Sequence, residues 1–277
     1  KHEHSRHRFS PGGRISFETD SRRQIQGEVS LGGRVARDGG TGLETGLGLD
    51  WTASDRLSLQ AEVGVGWGMG QRAWAANEPL FLRSDGLFMA AEADVPEQIS
   101  PDALVPVAGG AAGALDGLAP YEGDLLVPDA TAYYVPLFAA RDTRRAEVST
   151  RGQVIFGPGL SLQVFGQLFA ARGRYRDVRL LAGADDFRPF DAYPKRRDFA
   201  VASFIANAVL RWEYRPGSTL FVVWSQGRDD ETFEEAVVGP GLGSSPYAAG
   251  TGRQFADAFD VYPRNVVLVK LNYLLMR

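Results

Sequence analysis

The chain has no cysteine. That removes disulfides, thiol catalysis and cysteine metal sites together. It has only three histidines, His2, His4 and His7, all inside the opening "HEHSRH". Such spacing suits a metal in a tail, but the expectation is a solvated segment with no metal site. No histidine remains further on to serve as the base of a histidine-dependent nucleophile. This argues against a protease-like or phospholipase-like enzyme. Charge of one sign is also missing. The net charge is −4 over 277 residues, and no bulk field points to nucleic acid. There is no run of 18 apolar residues, so the sequence predicts no transmembrane helix. A spanning β-strand escapes that test, because it needs only about 9 to 11 residues, apolar at alternate positions. The opening "KHEHSRHRF" has neither an initiator Met nor an apolar signal core, so a processed chain or a piece of a longer one is expected.

What the chain does have is alternation. In "LSLQAEVGVGWGMG" (57–70) Leu57, Leu59, Ala61, Val63, Val65, Trp67 and Met69 alternate with small or polar residues. A period of two means a strand with one apolar and one polar face, and at fourteen residues it far exceeds an average strand of about five or six. The pattern recurs. "LETGLGLDW" sets Leu43, Leu47, Leu49 and Trp51 against Glu44, Gly46, Gly48 and Asp50. "IQGEVSLGGRV", "RISFETD", "RAEVSTRGQVIF", "LSLQVFGQLF", "SFIANAVLRWEYR", the stretch 220–226 and "NVVLVKLNYLL" behave alike. About nine strands emerge, with no amphipathic helix of comparable length.

The connections alternate too. Short ones fall near 20–23, 53–56, 157–159 and 216–218. Long ones fall near 37–42, 76–131, 176–198 and 229–262, the stretch 76–131 being an Ala-, Gly- and Pro-rich insertion. Short turns at one rim and long loops at the other are the habit of an outer-membrane barrel. Trp51, Phe156, Trp212 and Tyr214 lie within a few residues of the short turns, where a membrane-interface aromatic girdle belongs. The sequence therefore predicts an all-β, antiparallel, up-and-down transmembrane β-barrel. Its apolar positions face lipid. Its polar positions face a lumen, where glycine leaves room for water, loops or larger neighbours.

The segments "LSLQVFGQLFAARGRYRDV" (160–178) and "NAVLRWEYRPGSTLFVVWSQGRD" (207–229), with the ending "RNVVLVKLNYLL", resemble the C-terminal β-barrel domain of uncharacterised bacterial outer-membrane proteins. The resemblance covers roughly 130–277, and the hairpin "WEYRPGSTLFVVW" is its most specific part. It implies an N-terminal module similar to family 9 carbohydrate-binding domains, and it brings no catalytic residue or cofactor. The sequence departs from the family at the 76–131 insertion. Its last residue, Arg277, replaces the aromatic on which many such barrels end.

A complete barrel normally has an even strand number, with both ends in the periplasm. Nine strands, the last ending in the periplasm as the family implies, put residue 1 at the outer rim. The expectation is therefore either a barrel segment over 1–277, completed by upstream strands of the same polypeptide, or a single barrel domain with one further strand, within 76–131, that the alternation does not show.

No residue is assigned to catalysis. Paired carboxylates at Asp185–Asp186, Asp229–Asp230 and Glu234–Glu235 have the chemistry for calcium or for a glycosidase acid and base. All three lie in segments read as outer loops, where solvated acids are the default. The loop aromatics Phe187, Phe190, Tyr193, Tyr247 and Phe255 are candidates for stacking on a sugar. The functional expectation is an anchor, pore or receptor in the bacterial outer membrane, without cofactor or metal. Its expected partners are outer-membrane lipid and lipopolysaccharide, the barrel-assembly machinery and a glycan ligand. The alternatives are a glycan hydrolase, or a secretion or assembly partner that docks through 76–131.

Overall fold

The computed structural model describes residues 11–91, 104–107, 111–122, 127, 129–191, 193, 195–233, 236–237, 245–248 and 250–275. The elements in chain order are β1 (Gly12–Glu18), β2 (Ile25–Val35), β3 (Thr41–Ser54), β4 (Leu57–Arg83), β5 (Phe88–Ala91), β6 (Leu104–Pro106), β7 (Ala130–Gly157), β8 (Leu160–Gly183), β9 (Asp186–Pro189), β10 (Lys195–Arg196), β11 (Phe199–Arg215), β12 (Ser218–Phe233), β13 (Ala236–Val237), the α-helix α1 (Thr251–Asp260) and β14 (Arg264–Asn272).

Nine of these strands form one antiparallel meander in the order β1-β2-β3-β4-β7-β8-β11-β12-β14. Each strand pairs with the next strand of the path, as the alternating pattern predicts. Among the described residues β1 pairs only with β2 and β14 only with β12, so the sheet is open. The turns between β3 and β4, β7 and β8, and β11 and β12 hold two residues each. All the long connections leave from the opposite end.

Residues paired directly across strands share a face of the sheet. The row Leu47–Val63–Val148–Leu168–Phe204 therefore lies on one face. So does Trp51–Leu59–Gly152–Val164–Ala208–Trp224–Val267. Over β2, β3 and β14 this apolar face is exposed, with Leu47 at 56% and Val269 at 60%, while α1 covers Leu168, Ala170, Ala202 and Phe204 on β8 and β11. The other face carries Gln60–Arg151–Phe165–Asn207 in one row and Glu62–Ser149–Gln167 in the next.

The strands run on where the sequence pattern fades. β4 holds 27 residues, β7 28 and β8 24, against 14 in β3. At about 3.3 Å per residue the longest reach roughly 90 Å, far past any bilayer. Two bulges in β4, at Gly68/Gln71 and Trp74/Ala76, hide this in the sequence. Each adds one residue opposite β7 and flips which alternate positions face which side. Beyond them Glu78, Leu80 and Phe81 are all buried, so strict alternation ends while pairing continues. The 76–131 insertion is thus strand at both ends, not loop throughout. Between them β5, β6 and a one-turn helix at Ala111–Leu115 pack Phe88, Val107 and Leu115 onto Leu80, Val135, Leu137 and Leu180. Through Ala76–Leu137 and Glu78–Val135, this core lies on the continuation of the polar face.

Two further expectations are corrected. The loop read over 176–198 contains the end of β8 and the hairpin strand β9. The loop read over 229–262 contains the end of β12 and the helix α1, which packs Phe255 and Ala258 against Leu168, Ala170 and Ala202. The helix was hidden because Gly250 makes no side-chain cap and the first turn holds no acidic residue.

Candidate functional site

The polar face is the first candidate. Near the short turns it holds a groove of about 430 Å³ lined by Gln60, Gln153, Gln163 and Asn207, with the Arg151 guanidinium 5.8 Å from the Phe165 ring centre. Amides and an aromatic ring suit a neutral, hydrogen-bonding ligand. Further along lies a charged groove of about 240 Å³ bounded by Arg14, Glu28, Glu44, Glu62, Arg145 and Glu147. Arg14 donates to Ser30 Oγ at 3.0 Å, Arg145 to Glu44 at 2.8 Å and Gln167 to Glu147 at 2.5 Å. Glycines floor it: Gly46, Gly64 and Gly66 line the same face.

A buried ionic cluster marks the end of the sheet away from the short turns. Glu78 is fully buried on β4. Its carboxylate meets Lys195 and the Arg197 guanidinium, the latter at 2.7 Å, and accepts a bond from the Tyr193 hydroxyl at 3.0 Å. Arg197 Nε donates to the Tyr193 oxygen at 2.9 Å. Burial, and then the adjacent Glu78 charge, push the Tyr193 phenol above its ordinary range. Two cations on one carboxylate tie the loop after β9 to β4, and removing one partner from such a pair leaves an uncompensated buried charge.

These contacts change the reading of the loop aromatics. Phe190 is 2% exposed and stacks on Phe88 and Tyr193 at 5.9 and 5.6 Å. Phe190 and Tyr193 are therefore core residues, and neither offers a free ring face to a sugar. Phe187 lies edge-on to Phe138 at 5.3 Å, with Arg72 4.4 Å from its ring centre. Tyr247 lies within 6 Å of three guanidinium carbons, those of Arg144, Arg172 and Arg174. Phe255, on α1, packs against the Ala170 and Ala202 cluster of the sheet. Of the five rings read as sugar candidates, three pack in apolar clusters and two are engaged by arginine. Trp51, Phe156 and Trp212 stand exposed close to the short turns, and Tyr214 packs on Trp212 at 5.9 Å.

The paired carboxylates do not act as pairs. Asp229 aligns with Ser203 and Asp230 with Ala202, so they point to opposite faces of β12. Asp186 is paired with Arg188 at 3.1 Å. Glu234–Glu235, the three histidines and Arg277 lie outside the described residues. The two long loops do meet, because β10 pairs with β13, but the buried carboxylates there are already held. Asp198 accepts the Tyr175 N–H at 3.1 Å and a bond from Ser245. Among the described residues no cluster of three His, Cys, Asp or Glu side chains is arranged to hold a metal.

Sequence reasoning missed the arginines around Tyr247. The signal was there: Arg172, Arg174 and Arg176 recur with a period of two in "ARGRYRDV", which on a strand places three guanidiniums on one face.

No protein-family model matches the chain, and no curated protein or solved structure matches it.

Proposed function

We propose that the chain spans the bacterial outer membrane as part of a β-barrel and serves as an anchor and pore or receptor for a carbohydrate-related ligand. One observation carries the reading. A nine-strand meander presents an apolar face, exposed except where α1 packs on β8 and β11, opposite a charged and amide-rich one. In water such a face is a large sticky patch, whereas in hydrocarbon it is the lipid contact and the polar face lines a lumen. The short turns belong in the periplasm and the long connections outside. The assembly machinery inserts the sheet, and lipid and lipopolysaccharide surround it.

An open sheet cannot rest in lipid, because edge N–H and C=O groups there need partners. In a nine-strand meander the first and last strands run the same way, so direct closure would need a parallel pair. Further strands, supplied by upstream parts of the same polypeptide, close it in the usual antiparallel manner. The glycan part of the proposal rests on the family resemblance and on the amide groove along Gln60, Gln163 and Asn207.

The test is expression of the full-length gene product, followed by membrane fractionation and gel migration with and without boiling. Outer-membrane recovery with heat-modifiable migration supports the reading. A soluble periplasmic monomer would end it. Uptake of neutral oligosaccharides into liposomes carrying the folded protein separates a pore from an anchor.

A further inference from the structure

Arg172 is out of place on the apolar face. It shares a row with Arg144 of β7 and Ala200 of β11, and Trp67 of β4 continues that row through Arg144. Toward the short turns the same face turns apolar at once, with Ala146 and Ala170, then Val148 and Leu168, the two β8 residues lying beneath α1. From Leu162 to Arg172 the strand rises roughly 33 Å at about 3.3 Å per residue. At a tilt of about 45° that is roughly 23 Å of height, close to the top of an apolar band about 25 Å tall. The row stands where the band ends, beside Trp67, an aromatic of the kind that settles at that boundary.

The chemistry of the row is incomplete. Arg172 is 6% exposed, and its Nε and Nη1 have no hydrogen-bond partner. The Tyr247 ring centre lies 5.7 Å from its guanidinium carbon, 5.4 Å from that of Arg144 and 5.1 Å from that of Arg174. A ring face attracts a cation but accepts none of its in-plane N–H bonds. Arg174 shares Asp142 with Arg176 at 3.2 and 2.7 Å. Among the described residues no carboxylate pairs with Arg144 or Arg172. A buried cation with open donors, flanked by like charges, is costly unless an anion completes it. Guanidiniums gathered about one ring supply the several N–H donors and the charge that a phosphate takes, and headgroup phosphates lie at the boundary where an apolar band ends.

We propose that Arg144, Arg172 and Arg174, beneath the ring of Tyr247, bind a phosphate group, and that an anionic lipid of the outer leaflet supplies it. The source of the phosphate rests on the membrane reading above; the phosphate chemistry does not.

The test uses the full-length protein in a neutral maltoside detergent. Phosphatidylglycerol, lipopolysaccharide and inorganic phosphate are added separately. Retained lipid is read by native mass spectrometry, and binding by the shift in unfolding midpoint and in tryptophan fluorescence, which Trp67 reports beside Arg144. The expected result is retention of the phosphate-bearing lipids, weakened on the order of ten-fold in the exposed-site variant Arg144→Gln and further in Arg172→Gln. Arg144→Lys, which keeps the charge but not the fork, falls between. A purely structural clamp on Tyr247 would lower the midpoint equally with and without lipid, and equal retention by wild type and both variants would overturn the site. Inorganic phosphate binding as tightly as lipid would keep the phosphate site and overturn its lipid source. Loss of heat-modifiable migration in the wild type would overturn the membrane reading alone, because the inorganic phosphate arm still reads the arginines.

Discussion

Arg145 of β7 reaches over β4 to Glu44 of β3, Nη2 to Oε1 at 2.8 Å. Glu44, Gly66 and Arg145 are successive partners across the three strands, so the ion pair skips a strand and lies on the glycine between. A Cβ on Gly66 would stand 2.9 Å from Arg145 Nε. The glycines that alternate along β4 thus make a floor on which neighbouring side chains lie flat.

Replacing Gly66 with valine should push Arg145 off Glu44, while the same change at Gly64, whose Cβ would meet nothing within 4 Å, should be tolerated. Both ends of the ion pair are half exposed, so the loss is small, about 1 kcal/mol or less. Urea unfolding of the detergent-folded protein would show it. A larger loss at Gly64 than at Gly66 would contradict the floor.

Val63 lies halfway along the apolar rows, and Ser149 lies on the polar face. In lipid, Val63→Arg should cost about 2–4 kcal/mol, as charges at a bilayer midplane do, while Ser149→Arg should be nearly silent. Folding into vesicles, scored by heat-modifiable migration, separates the two. A soluble sheet predicts the reverse for Val63, because an exposed arginine in water costs little and improves solubility.

Much of this sheet was legible because a half-buried strand writes its environment into alternate positions. Leu43 to Trp51 and Leu57 to Met69 declare their faces outright. The reading failed where the environment changed. Past Met69 a bulge flips the faces, with Gly70 at a φ of +60° and its N–H bonded to Asp142 Oδ1 at 2.9 Å. Past Ala76 both faces are covered, so "NEPLFLR" shows no period at all. The Glu78 cluster joins residues more than a hundred positions apart, and no local pattern encodes such a meeting. The site around Tyr247 was half legible, since the arginines keep the strand period while the ring that gathers them arrives from a distant loop.

Glu78→Gln should loosen the end of the sheet away from the short turns without unfolding the apolar rows. The change takes the charge from the carboxylate that meets Lys195 and Arg197 and should cost about 3–5 kcal/mol, the usual loss when a buried pair is broken. Limited proteolysis should cut between β4 and β7 and after β9, while the strands near the short turns stay protected. Uniform protection across the variant would contradict the role given to Glu78.

The edge strand β14 is exposed along its whole length and carries Val267, Val269 and Leu271 on one face. An unpaired apolar edge recruits other strands. These 277 residues alone in detergent should self-associate, and the double substitution Val267→Lys with Val269→Lys should shift them toward monomer in light scattering. If both forms are monomeric, β14 is already covered by a partner strand.

Asp142 gives the β4 bulge at Gly70 an acid limit. Burial draws its carboxyl upward, but the Gly70 N–H and the Arg174 and Arg176 guanidiniums outweigh this and hold it below the ordinary value of 3.8. A carboxyl with a lower value folded than unfolded adds stability that is fully present above the unfolded value. That stability is lost as pH falls through the folded one. Acidification below pH about 4 should therefore release the β4 bulge and the two arginines before the apolar rows respond. In Asp142→Asn the acid limb should flatten, at a cost of about 1–3 kcal/mol at neutral pH for the charged hydrogen bonds lost. Hydrogen exchange at Gly70 across an acid titration reads both effects, and identical profiles in wild type and variant would show that another group sets the limit.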